Sequence, residues 1–382
     1  MPTRDVDIPS DNHRIANRMT DTTEFDTSIT TAARIYRWVQ TNSLRIAVPA
    51  CIVVMAIGVA FVNPRFLSVR NFNAILYGVA PAGIVGMGMA LLLFSGRFDL
   101  SVGGIAALSA VAGARAINAY GLINAIPLVL AIGIVCGCVN SFVIFRLKVN
   151  SFVATLGTGY AFSGTAAVLS GQSPVSLKDL ALSDILNGSV AGIPLVIYLY
   201  VAIVLLAFWY SHTVAGRALY AVGANEEAAR YAGVPVTLVS VLPFVITGAF
   251  CAIAGLVTVG YNAAGLATTG SDWPLTAIAG AVIGGVSITG GDGSIIGAFI
   301  GMILIGVVQN ALVFIDIDTN YQTIILGIVI ILAVTTDILA RKRLLQLGAR
   351  RADAKPPAEA AVVNAPAFLD AVASRPSEES TP

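Results

Sequence analysis

Two short turns in this chain place an acid where it could do chemistry. Asp99, Ser101 and Gly104 read Asp-x-Ser-x-x-Gly, and Asp292, Ser294 and Gly297 repeat that spacing 193 positions later, each at the start of an apolar run. An Asp with a hydroxyl two residues on caps the exposed amides of a helix N-terminus, where the helix dipole favours negative charge. The alternative is a polar cavity or gate, in which such N-termini offer donors to a hydroxylated ligand. Capping also accounts for Gly103, Gly104, Gly293 and Gly297. The recurrence points to duplicated halves, a plan on which transporters place their site between pseudo-symmetric repeats.

Other chemistry is sparsely supplied. Cys51, Cys136, Cys138 and Cys251 all sit inside apolar runs, where neither a disulfide framework nor a zinc site is expected, and Cys136 and Cys138 face different sides of a helix. No metal site, catalytic residue or cofactor is expected. The chain has no G-x-x-x-x-G-K-[ST] phosphate loop, and its nearest Gly-rich run, Gly290 to Gly297, lacks the lysine. Energy from nucleotide must therefore come from another chain. The acids fall at the ends of apolar segments, whereas an ion-coupled carrier usually buries ionisable groups within its spans.

The elements that must position these residues follow from composition. Of 382 residues, 57% are hydrophobic and 11% charged, against about a quarter charged in a soluble domain. With a mean hydropathy of +0.84 and repeated apolar runs of about 20 residues, the chain is expected to be an all-α polytopic membrane protein. A net charge of +1 gives no field for nucleic acid. The apolar segments are 46–62, 72–94, 100–118, 122–145, 151–170, 192–210, 238–261, 274–289, 293–314 and 320–339, about ten spans in two pseudo-symmetric halves. Segments 151–170 and 274–289 are Gly-rich or short, the sign of one or two broken or re-entrant helices. Residues 1–40 and 346–382 have the composition of disordered tails, the first with a short interfacial helix around Ile35 to Val39, leaving 41–345 as the transmembrane domain.

Ten spans put both termini on one side. Arg97, Arg146, Lys148, Arg217, Arg230 and the Arg341, Lys342, Arg343 cluster mark the cytoplasmic side, against Arg65, Arg70 and Lys178 outside. Arg115 falls near the end of a span, as a snorkelling residue, a cavity-facing one or the mark of a misplaced boundary. Gly280 and Gly284, with Gly293, Gly297 and Gly301, recur every four residues and so line one helix face each, the pattern of tight helix crossing. The longest charged insertion, 211–237, holds a short helical stretch from Glu226 to Ala232 stopped by Gly233 and Pro235. Composition leaves it open between a docking element and an amphipathic loop on lipid headgroups.

Four blocks in order carry a resemblance: GRFDLSVGGIAALSA (96–110), VNSFVATLGTGYAFSG (149–164), GRALYAVGANEEAARYAGV (216–234) and AIAGAVIGGVSITGGDGSIIGAFIG (277–301). From about 45 to 340 the chain resembles the permease subunits of bacterial ATP-binding cassette (ABC) importers for ribose, xylose, arabinose and related sugars. The resemblance implies a second permease copy, identical or not, a periplasmic sugar-binding protein, and ATPase units docked on the cytoplasmic face of the bacterial inner membrane. It puts the ATPase-coupling segment on Arg217, Glu226, Glu227, Ala228, Ala229 and Gly233, and makes Phe152, Thr155 and Gly157, beside Asp99, Ser101, Asp292 and Ser294, the candidates for pathway or gate. Nucleosides, a furanose signal molecule or branched-chain amino acids are the alternative cargoes within the wider superfamily. An ion-coupled secondary carrier and a membrane scaffold are the rivals outside it.

Overall fold

The computed structural model describes residues 43–318 and isolated helical positions between 321 and 335. In chain order its helices are α1 Ser43–Val62, α2 Val69–Phe94, α3 Val102–Tyr120, α4 Leu122–Ser141, α5 Ser151–Ser170, α6 Ala181–Asn187, α7 Leu195–His212, α8 Val214–Ala224, α9 Glu226–Tyr231, α10 Val236–Asn262, α11 Trp273–Ile283 and α12 Ile295–Phe314. A π-helical turn, Phe142–Arg146, extends α4.

Seven of these are long and apolar enough to cross a bilayer: α2, α3, α4 with its extension, α5, α7, α10 and α12. They answer seven of the expected segments. Two others are shorter, with apolar stretches of Val48–Val62 in α1 and Trp273–Ile283 in α11, so a count of ten is not reached among the described residues. Most of segment 320–339, the Arg341 to Arg343 cluster, the residues around Ile35 to Val39 and both expected tails lie outside them.

Of the two segments expected to break, 151–170 is instead one uninterrupted helix. The first left-handed residue there is Gly171, at φ +61°, which closes α5 rather than interrupting it. Gly159 serves close packing, since a Cβ there would meet the Ser101 Cα at 3.1 Å. The other, 274–289, holds only the 11-residue α11, which begins at Trp273 and stops at Ile283.

α10 is the central post of the bundle, packed most extensively on α4, α3 and α2. Glycine permits the contact with α4: a Cβ on Gly133 would run into the carbonyl of Gly248, and the reverse holds. In a bilayer, where water does not drive helices together, such backbone approach supplies the packing. The same device joins α11 to α12. Gly284 seats against the Gly297 carbonyl, and Gly301 against that of Gly280, with no room for a side chain at either.

Candidate functional site

The 26-residue α2 is about 39 Å long, so it carries Arg70 at one end of the bundle and Phe94 at the other. At the Phe94 end sits the charged insertion. Thr213 caps α8 by accepting from the Gly216 amide at 3.1 Å, and Asn225 caps α9 by accepting from the Ala228 amide at 2.9 Å. Gly233, at φ +83°, turns the chain into α10, a conformation costly for a residue with a Cβ. Glu226 receives Arg97 at 3.0 Å and Arg230 at 3.1 Å. Arg97 also donates to the Ser240 hydroxyl at 2.8 Å and lies 5.1 Å from the Phe145 ring centroid. Burial lowers the Arg97 pKa and the Glu226 carboxylate opposes that shift.

Three chain segments meet here almost backbone to backbone. Gly223 of α8 presses on the Phe94 carbonyl and the Gly291 amide, and Gly290 on Gly96. Phe94 stacks on Tyr220 with ring centroids 4.4 Å apart, and the Gly291 amide donates to the Phe94 carbonyl at 3.0 Å. α8 is therefore held against the end of α2 and the α11–α12 connection, and α9 follows directly from it. Ala229 faces inward, while Glu227, Ala228 and Arg230 are exposed and Tyr231 is 92% exposed. Arg217, also exposed, donates to the His212 carbonyl at 2.6 Å and so serves the end of α7.

The acid turns prove unlike each other. Asp99 and Ser101 are fully buried. Ser101 caps nothing; its amide and hydroxyl donate to Asp99 Oδ1 at 2.7 and 2.6 Å. Asn140 of α4 donates to Asp99 Oδ2 at 3.0 Å and accepts from the Thr158 hydroxyl of α5 at 2.6 Å. Thr155, also buried, accepts from the Leu100 amide at 3.0 Å. The network ties α3, α4 and α5 together, with Asp99, Ser101, Asn140 and Thr155 all buried. Sequence reasoning missed Asn140 and Thr158; the available signal was an amide and a hydroxyl inside apolar runs. Asp292, by contrast, is exposed, and Ser294 accepts from the Gly297 amide at the start of α12. Gly293 lies against the Phe94 ring. Of the α5 candidates, Phe152 is 47% exposed and meets Phe98 edge-on at 6.2 Å, and Gly157 is open.

The broken span lies beside this network. Gly265 packs on Ala110 and Ala114 of α3, and Gly270 on Gly103, so residues 265–270 run antiparallel to α3. α11 then continues to the α12 start, where Gly284 meets Gly297. A short strand with a run of turns, and then an 11-residue helix, thus share one crossing. Its junction is at half depth: Gly103 adjoins Gly104, which packs on Gly159, the middle of the 20-residue α5. Asp272 at this junction is exposed, as are Ser271 and Thr268. The expectation that acids lie only at segment ends is thereby corrected. Asp272 lies next to a break in its apolar run in sequence, but the broken span carries it to mid-bundle. A charge at the bilayer centre costs ~3 kcal/mol or more on insertion scales.

At the opposite end, β1 Val175–Ser176 pairs antiparallel with β4 Ala264–Gly265, and β2 Ser189–Val190 with β3 Ile193–Pro194. A hollow of about 490 Å³ there is lined by Arg115, Asn118, Leu169, Ser170 and Lys178. Arg115 belongs to α3 and reaches the Leu169 carbonyl, the snorkelling geometry.

Comparison with known proteins agrees with this architecture. The family described as "Branched-chain amino acid transport system / permease component" matches residues 71–334. The chain belongs to this family. The permease is 35% identical over 295 residues to the ribose import permease protein RbsC of Haemophilus influenzae, covering 75% of this chain and 91% of the relative. It is 34% identical over 298 residues to the L-arabinose transport system permease protein AraH of Escherichia coli K12, covering 76% and 89%. With the autoinducer 2 import system permease protein LsrD of Photorhabdus laumondii it shares 32% over 296 residues, covering 75% and 89%. No solved structure matches it significantly. The relatives are transport components, and this permease is a multi-pass membrane subunit rather than an enzyme.

Proposed function

We propose that this permease forms, with a second permease copy, the translocation pathway of an ABC importer for a monosaccharide handed over by a periplasmic binding protein. It needs no cofactor of its own; ATP is hydrolysed on a separate subunit. The observation that carries the reading is α9. It is a capped helix braced inward by Ala229 and the Arg97–Glu226 pair, and it presents Glu227, Arg230 and Tyr231 outward. A short helix so held can lie in a cleft of an ATPase and turn its closure into rigid-body movement of the spans. Gly233 ends that element, and Arg217 supports it through the end of α7.

The cargo class rests on the ribose and arabinose relatives. The family description and LsrD supply the alternatives, a branched-chain amino acid or a furanose signal. The end bearing α9 faces the cytoplasm of the bacterial inner membrane, with both termini on that side. The charges support this orientation: Arg97, Arg146, Lys148, Arg217 and Arg230 gather towards the α9 end, while Arg65 precedes α2 and Arg70 opens it at the other. The testing experiment tags the chain in its own host, extracts it in mild detergent and identifies co-purifying proteins by mass spectrometry. A cassette ATPase is expected. Recovery of the chain alone, from a preparation active in ion-driven uptake, would overturn the reading.

A further inference from the structure

The exposed polar group at half depth has no place on a lipid-facing surface. Thr268, Ser271 and Asp272 lie in the run of hydrogen-bonded turns that leads into α11, the non-helical half of the broken span, and all three are exposed. Gly270 between them packs on Gly103, whose neighbour Gly104 packs on Gly159 in the middle of α5. That chain of contacts fixes their level well inside the bundle. α5 lies alongside, because Ala267 shares an apolar cluster with Ala107, Val111 and Ala166. α5 is also the least enclosed of the seven spanning helices. A carboxylate on this surface needs water or a hydrogen-bonding partner in front of it.

We propose that the surface formed by residues 268–272 beside α5 lines the translocation pathway, and that Thr268, Ser271 and Asp272 are its polar contacts for a hydroxylated cargo. The proposal rests on the transport reading above and deepens it by naming pathway residues. The carboxylate accepts hydrogen bonds from vicinal hydroxyls. The two hydroxyl side chains both donate and accept, which suits a neutral polyol passing without tight capture. Asp99 is buried, bonded to Ser101 and Asn140, and takes no part. Phe152 and Gly157 lie on exposed parts of the adjoining helix.

The test is thiol accessibility in intact membranes, with the exposed Cys51 and Cys138 first replaced by Ala. Ser271→Cys is compared with Leu205→Cys, an exposed site on α7, using a charged, membrane-impermeant methanethiosulfonate. At least tenfold faster modification of Ser271→Cys is expected, with Thr268→Cys behaving like it. Equal, slow modification of both would place the surface against lipid or inside a subunit contact and overturn the proposal. Asp272→Leu supplies a second measure: membrane insertion and yield stay at wild-type level, and modification of Ser271→Cys slows at least threefold as the surface loses water. A yield that rises on Asp272→Leu, with no change in modification, would mark a lipid-facing site and also overturn it. These readouts need no ATPase, so their failure is distinguishable from failure to recover one.

Discussion

The Arg97 guanidinium meets the Glu226 carboxylate at 3.0 Å while its other nitrogen donates to Ser240 at 2.8 Å. One side chain from the α2–α3 connector thereby holds the first residue of α9 and the first turns of α10. Two residues on, Asp99 and then Ser101 join the same connector to α4 and α5. The connector is the physical link between the outward-facing helix and the least enclosed span.

Removing the bracket should loosen α9 before anything else. Glu226 is about half exposed, so the pair is discounted for solvent to ~1 kcal/mol, or about fivefold in a local opening equilibrium. Arg97→Ala is expected to raise hydrogen exchange across 225–234 by about that factor, with exchange in α10 unchanged. Exchange at the wild-type rate would show that Asn225 and Ala229 hold α9 without it.

Glu227 offers a contrast, since it lies on the outward side of the same helix. Glu227→Arg is expected to leave folding and membrane insertion intact while abolishing uptake and co-purification of the ATPase. Reversing charge on a docking surface builds a like-charge or desolvation penalty against the partner. Parallel loss of protein level and uptake would defeat this expectation.

How far these roles were legible depends on where a residue finds its partner. Seven spans announced themselves, because a run of about 20 apolar residues has one stable fate in a bilayer. α9 was readable from local signals alone: Asn225 before it, Glu226 in its first turn and Gly233 after it. Arg97 was counted only as a topological charge, since its partners lie 129 and 143 positions away. The depth of Asp272 was illegible for a related reason. An apolar run broken by polar residues reads as a boundary, and only the packing of Gly270 on Gly103 shows it to be the middle of a crossing.

The buried acid gives a prediction of stability rather than transport. Asp99 accepts from the Ser101 amide, the Ser101 hydroxyl and Asn140. Asp99→Ala leaves these donors facing a void, at about 1 to 3 kcal/mol for an unsatisfied buried group. Thermal stability in detergent should fall by several degrees, and Asp99→Asn, which keeps an acceptor for Ser101, should fall less. Equal melting for Asp99→Ala and wild type would remove the network from any account of stability.

The last prediction concerns the α11–α12 crossing. At Gly301 a Cβ would collide with the Gly280 carbonyl, and at Gly284 with that of Gly297. The obstacle in both cases is main chain, which cannot rotate aside as a side chain can. Gly301→Val must therefore force the half-helix α11 away from α12, and overpacking of this kind costs about 1 to 3 kcal/mol or more. Gly157 is the matched control, with nothing within 4 Å of the position its Cβ would take. Gly301→Val is expected to lower both yield and melting temperature in detergent, and Gly157→Ala to leave them unchanged. Because α11 also fixes the junction at Asp272, the Gly301→Val protein that survives should show slower thiol modification at Ser271→Cys. Full stability of Gly301→Val would mean that the two helices have slack between them, and that the glycines are not what brings them together.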